Sequence, residues 1–263
     1  MRLKDLKDGE KREIVKFLST RALNVFYDKE MKLFIHGDLN NQIGSISNFT
    51  DDNDYASEVY FRFGADSLNY YEYRQPVKAG WNEIKILFNE LTALKQRRDS
   101  DTATLRMPVP GVEGHYYGVK GSPTLTRLQY FTIGVINPKE KGTSMQSVSG
   151  DIWVNELRVL EADDSPGWAY TGATSLKFAD ILNVNVNMSR TDPNFHKLSD
   201  RFGSREDRRA WGVMADLDVI KVLPVNLPGS SFRLNYQHTE SLVNPVYLPN
   251  TDIKIGRASC RER

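Results

Sequence analysis

The chain has 263 residues, enough for one large domain or two domains of moderate size. Its 35 Lys and Arg residues balance 34 Asp and Glu residues, so a formal net charge of +1 gives no electrostatic reason to expect a nucleic-acid partner. Aromatic residues make up 11% of the chain, which favours strands over helices, and no apolar run approaches the ~20 residues of a transmembrane helix.

The N-terminal segment reads MRLKDLKDGEKREIVKF and lacks the apolar core of a secretory signal peptide. This start is compatible with a cytoplasmic protein or with an internal piece of a longer exported chain. Within it, Arg12–Leu18 is predicted to be a short helix. Leu91–Gln96 is the other segment that the sequence predicts to be helical.

Between residues 21 and 160 the sequence predicts short strands separated by polar loops. In several of them apolar and polar side chains alternate, as at Val59, Phe61 and Phe63, which is typical of a sheet with one face in a core. This pattern predicts an all-β fold, with a jelly-roll-like β-sandwich over residues 1–163. The predicted strands are Leu23–Tyr27, Lys32–His36, Glu58–Phe63, Tyr70–Arg74, Glu83–Phe88, Leu128–Ile136 and Ile152–Leu160.

Two long loops are predicted in this half of the chain, at Asp38–Ser57 and Arg97–Pro123. Loops of this length on a sandwich are surface excursions and in some proteins binding loops. Asp51, Asp52 and Asp54 in the first loop could offer carboxylate oxygens to Ca²⁺, although a solvated acidic loop is the commoner explanation.

No pattern for catalysis or cofactor binding stands out in the sequence. The four histidines each lie alone in a different segment, without the spacing of a transition-metal site. They are His36, His115, His196 and His238. Sequence spacing identifies neither a Ser/His/Asp set nor a pair of hydrolytic acids. We therefore expect no enzymatic activity, no metal and no cofactor.

A group of aromatic residues is a candidate ligand platform, because aromatic faces stack on the apolar surfaces of sugars and jelly rolls host many lectins. Aromatic residues at alternating strand positions more often pack in a core or across strands, so both interpretations stay open. The candidate platform consists of Tyr70, Tyr71, Tyr73 and Trp81, with Tyr116 and Tyr117 nearby in sequence.

An acidic turn at Glu161–Gly167 separates the predicted sandwich from longer, more regular strands. Each of these is close to ten residues long and, at a tilt of ~45°, spans roughly 23 Å, near the apolar band of an outer-membrane barrel. Residues 164–255 are therefore predicted to form four antiparallel membrane-spanning barrel strands. The predicted strands are Trp168–Phe178, Ile181–Arg190, Ala210–Val219 and Ser231–Glu240.

Period-two alternation divides the side chains of these strands into two sets. An asparagine ladder is hard to explain inside a sandwich, whereas a barrel lumen is polar. The predicted lipid-facing residues are Leu182, Val184, Val186, Met188, Trp211, Val213 and Leu217. The predicted lumen-facing residues are Asn183, Asn185, Asn187 and Ser189.

Loop lengths suggest an orientation, because such barrels keep short turns in the periplasm and long loops outside. The tight link at Ala179 and Asp180 would be periplasmic and the charged loop Thr191–Arg209 external, which puts the sandwich on the extracellular face. The link Ile220–Ser230 is longer than this rule expects. Because four strands cannot close a barrel, we expect the chain to be a fragment.

The last residues, IGRASCRER, break the β pattern and contain the single cysteine, Cys260, which excludes an internal disulfide framework. They resemble a translated sequencing-adapter artefact. We interpret residues 256–263 in this way and assign no role to Cys260.

Two stretches carry a family resemblance. GDIWVNELRVL at Gly150–Leu160, followed by GWAYTGATSLKFADILNVNVNMSR, resembles the SprA (Sov) family, the outer-membrane translocon of the type IX secretion system in Bacteroidetes. SFRLNYQHTESLVNPVYLP resembles that family's aromatic strand and its closing loop. The resemblance is clearest over Ser149–Pro249. The chain departs from it in lacking an Asn-Pro-Leu-Asp-Pro-Asp run after Pro245 and in a short charged loop at Arg201–Arg209.

The resemblance implies a protein-conducting channel that moves folded cargo with C-terminal signal domains to the cell surface and that is linked to gliding motility. It also implies a PorV-like shuttle barrel and a periplasmic plug protein as partners, and outer-membrane lipid as surroundings. The alternative is a secreted carbohydrate-binding or adhesion module of two β domains, which would expose polar residues where the second half has Val184, Val186 and Met188. A glycoside hydrolase fragment is a third and more distant interpretation.

Overall fold

A computed structural model describes residues 1–97, 102–138, 147–200, 203–224, 229–248 and 251–255. The interpretation of residues 256–263 as an artefact concerns a part outside these described residues. Contacts divide the chain into two compact units. The first comprises Met1–Asp163 and Pro249–Ile253, and the second comprises Asp164–Leu248 and continues from Lys254.

Within its described residues, the first unit contains two larger antiparallel sheets, a two-stranded hairpin and one helix. The strands are β1 (Arg2–Leu6), β2 (Lys11–Phe17), β3 (Asp28–Gly37), β4 (Phe49–Asp51), β5 (Asp54–Tyr55), β6 (Glu58–Gly64), β7 (Tyr70–Pro76), β8 (Gly80–Leu87), β9 (Leu105–Pro108), β10 (Tyr116–Lys120), β11 (Tyr130–Ile136) and β12 (Val148–Ala162). The helix α1 spans Phe88–Lys95. The sheet orders are β1-β12-β3-β8 and β2-β11-β6-β7-β10-β9, and β4 pairs with β5.

The core of the first unit is built from the alternating apolar residues of both sheets. In β3, Met31, Leu33 and Ile35 are buried, and the side chains between them lie on the opposite face of the sheet. β6 contributes Val59, Phe61 and Phe63 to the same apolar cluster, whose members are all close to fully buried. The prediction of an all-β fold with a sandwich-like packing of antiparallel sheets is thereby confirmed.

Four local predictions in this unit are wrong. The loop predicted at Asp38–Ser57 contains strands β4 and β5. Arg12–Leu18 is not a helix but strand β2, which pairs along its length with β11 from Lys11↔Ile136 to Phe17↔Tyr130. The adjacent β-branched residues Ile14 and Val15 and the aromatic Phe17 fit a pleated strand better than a short helix. The loop predicted at Arg97–Pro123 contains strands β9 and β10.

Leu23–Tyr27 is not a strand either, since it makes a single bridge, Leu23↔Leu128. The predicted helix Leu91–Gln96 corresponds to α1, which starts three residues earlier, at Phe88.

A buried ionic network covers the outer face of the six-stranded sheet. Glu72, which is fully buried, accepts hydrogen bonds from Arg62 and Arg106, each at 2.6 Å. Burial acts to raise the pKa of Glu72, but the hydrogen bond from Arg106 and the charges of Arg74, Arg106 and Arg62 outweigh it and lower the pKa. The carboxylate is therefore held ionised among guanidinium groups as part of the sheet's structure.

A second buried ion pair joins residues that are distant in sequence. Asp252 lies 2.6 Å from the Lys95 Nζ, and their side chains are 0% and 3% exposed. The second carboxylate oxygen accepts hydrogen bonds from the Tyr71 hydroxyl at 2.6 Å and from the Leu125 backbone N–H at 3.0 Å. Lys95 also donates to the Pro123 carbonyl at 2.6 Å. The core of the first unit is thus completed by a residue that follows the second unit's strands in sequence.

The second unit is one antiparallel sheet of four strands in sequence order. The strands are β13 (Ala169–Phe178), β14 (Leu182–Thr191), β15 (Glu206–Asp218) and β16 (Arg233–Pro245). Residues 179–181 connect β13 to β14, residues 192–205 connect β14 to β15, and residues 219–232 connect β15 to β16. Among the described residues, helices long and apolar enough to cross a membrane are absent.

We predict that Asp252→Asn lowers the stability of the first unit by about 3–5 kcal/mol, because it leaves the Lys95 ammonium buried without a counter-charge. The double variant Lys95→Met/Asp252→Asn should recover part of that loss, since it removes the unpaired charge. Urea unfolding of the whole chain, followed by tryptophan fluorescence, measures both. Asp151→Asn, which breaks the exposed pair with Arg2, is the control and should change the midpoint little. A midpoint shift for Asp252→Asn no larger than that of the control would contradict the assignment.

Candidate functional site

The cross-strand register of the second unit determines which side chains share a face. β14 lies between β13 and β15 and pairs with both over its full length. Residues directly opposite each other in an antiparallel pair point to the same side of the sheet. Val186, for example, is opposite Thr174 on one side and Val213 on the other. Each row of opposing residues therefore belongs entirely to one face.

One face carries all seven residues that the sequence predicts to contact lipid. Leu182 is opposite Leu217, and Val186 is opposite Val213. Val184 is opposite Ala215, and Met188 is opposite Trp211. The outer strands β13 and β16 add Leu176, Phe178, Leu234 and Tyr236 to the same rows. We call this the apolar face; that it contacts lipid stays a prediction.

Among the described residues, the side chains of the apolar face are either exposed or half-buried. Met188 is 54% exposed, Phe178 55% and Tyr236 59%. Soluble monomers rarely expose a continuous apolar area of this kind, and such an area marks an interaction surface for another protein, a membrane or a ligand. From Leu182 to Met188 the apolar rows extend about 20 Å along the strand, at ~3.3 Å per residue.

The opposite face is polar and includes all four residues predicted to face the lumen. Asn183 is opposite Asp216, Asn185 opposite Met214, Asn187 opposite Gly212 and Ser189 opposite Ala210. The neighbouring strands extend these rows with Lys177, Ser175, Asn235, Gln237 and Thr239. We call this the polar face. The predicted lumen-facing set contains no residue of β13 or β16, although the period-two alternation of those strands places these residues on the same face.

A concavity of about 490 Å³ lies on the polar face. Its centre is formed by small residues, Ala173 on β13 and Gly212 on β15, which lie in the same row as Asn187. Gly212 is buried, and a Cβ atom there would approach the Asn187 Oδ1 to 2.6 Å. Because these side chains are small, the surface is depressed here, and the amide and hydroxyl groups of Asn185, Asn187 and Thr239 line the depression.

Aromatic residues border the apolar rows at both ends of the strands. Phe178 and Phe232 lie at one end, and Trp168 and Tyr170 lie at the other. Trp168 is 68% exposed and Phe232 54%. Outer-membrane barrels carry aromatic girdles at both interfaces, so this distribution is of the expected kind.

The apolar face also contains polar groups near the end where β13 begins. Trp211 donates from Nε1 to the Glu240 carboxylate at 2.9 Å, and its ring lies 4.9 Å from that of His238. Arg190 is opposite Arg209 in the next row, and Arg190 pairs with Asp207 at 3.2 Å. The apolar band therefore ends at these charged rows.

The predicted ligand platform is not assembled. Tyr70, Tyr71 and Tyr73 are at most 5% exposed, because β7 is a central strand of the six-stranded sheet and both of its faces are covered. Trp81 is 56% exposed but belongs to β8 in the other sheet. The four rings thus do not form one exposed surface, and the tyrosines act as core and cross-strand packing residues.

The acidic loop is occupied by local contacts. The Asp51 carboxylate accepts hydrogen bonds from the backbone N–H groups of Asn53 and Asp54, at 2.7 and 2.9 Å. Asp52 lies 3.4 Å from the Lys78 ammonium. Within the part of the chain that the structure describes, groups of three or more His, Cys, Asp or Glu residues able to hold a metal ion are absent.

A protein-family model matches almost the whole chain. The model is SprA_N, described as motility related/secretion protein, and it matches residues 1–258. The match extends over both units and includes the region in which the sequence resemblance was clearest. The search of curated proteins gave no match.

We predict that the two faces differ in their tolerance of charge. Val186→Arg puts a cation in the middle of the apolar face and should reduce the free energy of folding into a bilayer by about 2–4 kcal/mol. Asn185→Arg, one residue away on the polar face, should change it little. Denaturant titration of a complete barrel that contains these four strands, folded into lipid vesicles, provides both values. Equal losses for the two variants would contradict the division into faces.

Proposed function

Because the chain belongs to the SprA_N family of motility-related secretion proteins, we propose that it forms part of the protein-conducting channel of the type IX secretion system in the outer membrane. In this proposal β13–β16 are consecutive strands of the channel wall. The first unit is a domain carried by that wall. The role is transport and not catalysis.

The observation that carries the proposal is the separation of apolar and polar side chains onto opposite faces of a sheet whose apolar face is exposed. A soluble sheet buries its apolar face against another layer, as the two sheets of the first unit do. A sheet in a barrel wall instead turns its apolar face to lipid and its polar face to water. The ~20 Å of apolar rows and the aromatic residues at both ends fit this environment.

The polar face has the chemistry expected of a channel that passes proteins without selecting one sequence. Its asparagines, Gln237 and Thr239 offer neutral donors and acceptors, and water satisfies them when no cargo is present. Large apolar rings, which would hold unfolded segments, are absent from the described rows of this face. Folded cargo with C-terminal signal domains would therefore pass along a hydrated wall.

The assignment places a requirement on the outer edges of β13 and β16. Within the described residues each of these strands pairs on one side only. An unpaired strand edge is not tolerated in lipid, since its N–H and C=O groups have no other partner there. In the membrane both edges would pair with further strands of the same wall.

The proposal includes an orientation and a set of partners. The three-residue connection 179–181 would be periplasmic and the connection 192–205 extracellular, with the first unit on the cell surface. The connection 219–232 lies at the same end as 179–181 and is longer than a typical periplasmic turn. The partners would be a PorV-like shuttle barrel, a periplasmic plug protein and outer-membrane lipid, and gliding motility would depend on the same system.

We expect that a photoreactive amino acid at Asn187 cross-links to secreted cargo, because this position lies on the polar face beside the concavity. The same substitution at Val186, on the opposite face, should cross-link to lipid and not to cargo. Cells actively secreting through this system are irradiated, and the adducts are identified by mass spectrometry. Cargo adducts at Val186 and not at Asn187 would overturn the proposal. A secreted two-domain module would give neither adduct and would be found in the medium.

A further inference from the structure

An exposed row of three aromatic rings crosses the outer face of the four-stranded sheet in the first unit. Trp153 on β12 is opposite His36 on β3, and His36 is opposite Trp81 on β8. The His36 ring lies 5.2 Å from that of Trp153, stacked at 25°, and 5.0 Å from that of Trp81, edge-on at 69°. Trp153 and Trp81 are 61% and 56% exposed. We call these three residues the aromatic row.

The row faces away from the core of the unit. Ile35 and Ile152, the immediate neighbours of His36 and Trp153 in their strands, are buried and point to the opposite side of the sheet. The core therefore does not require aromatic side chains at these positions. Two tryptophans that keep more than half of their surface in solvent lose the burial that normally stabilises such residues.

Polar groups border the row on both sides. Asp151, two residues before Trp153, pairs with Arg2 at 3.1 Å. On the other side, Asn155 is opposite Phe34, which is opposite Glu83. Glu83 pairs with Lys32 at 2.9 Å. Carboxylate, amide and guanidinium groups thus lie one row away from the rings, with both signs of charge present.

The size of the row limits what it can bind. Stable protein–protein interfaces bury roughly 800 Å² of surface on each partner. Three partly exposed rings offer a surface of only about a few hundred Å². The mixed charges at the border give no preference for an anionic membrane surface. Adjacent strands are about 4.8 Å apart, so the row extends about 10 Å, which is the length of two linked pyranose rings.

We infer that the aromatic row binds a neutral oligosaccharide through two pyranose units. The C–H faces of the sugar rings would stack on Trp81 and Trp153, with His36 filling the surface between them. The sugar hydroxyls would exchange hydrogen bonds with Asn155, Glu83 and Asp151. The sequence makes Tyr70, Tyr71, Tyr73 and Trp81 a candidate platform for the same ligand class. The three tyrosines are buried, and the aromatic row shares only Trp81 with that set.

The inference goes beyond the proposed transport function and does not depend on it. The row belongs to the first unit, so sugar binding would be retained even if the second unit did not line a channel. It would give the translocon a contact with a glycan, in addition to its cargo.

The test is a titration of the whole chain with maltotriose, cellotriose and chitotriose, each followed by tryptophan fluorescence in a detergent without a sugar headgroup. At least one of the three should change the emission at concentrations up to about 10 mM. Trp81→Ala and Trp153→Ala should each weaken that binding at least about tenfold, since each removes one stacking surface.

Two further variants keep the result decisive. Trp81→Phe keeps an aromatic ring and should retain most of the affinity, which separates loss of stacking from loss of folding. Trp168→Ala removes another exposed tryptophan, in the second unit, and should leave the affinity unchanged. Failure of all three sugars to bind, or equal binding by the parent and by Trp81→Ala and Trp153→Ala, would overturn the inference.

Discussion

The central constraint on the second unit is the hydrogen-bonded register between β14 and its two neighbours. Val186 is opposite Val213, and Asn187 is opposite Gly212. Because of this register, all side chains of one row point to the same face of the sheet. A shift of one residue would place the asparagines against the apolar side chains of β15 and remove both faces at once. The apolar band, the polar concavity and the aromatic ends all follow from this single alignment.

The first unit depends on a different kind of interaction. Its two sheets bury an ordinary apolar core, yet the Lys95–Asp252 pair links that core to residues that come after β16 in sequence. Because both charges are inaccessible to water, each requires the other. In sequence, the four strands of the second unit lie between two segments that belong to the first unit.

The sequence was most informative where side chains alternate regularly. In Ile181–Arg190 the asparagine ladder predicts both faces, and the register brings the predicted residues together. It was least informative where the outcome depends on distant partners. The helix predicted over Arg12–Leu18 is strand β2, whose β-branched residues favour a strand locally but whose partner β11 lies far away in the chain. The aromatic row likewise joins β12, β3 and β8, which lie far apart in the chain. The Asp252 contact likewise has no local sequence signal.

The most direct test of the two-faced sheet is the reactivity of single cysteines at Val184 and Asn185 in intact outer membranes, after Cys260 is replaced by serine. A membrane-impermeant thiol reagent that enters the lumen should label Asn185→Cys, while Val184→Cys, one residue away and on the opposite face, stays protected by lipid. Equal labelling at the two positions, with the protein recovered in the soluble fraction, would contradict the account.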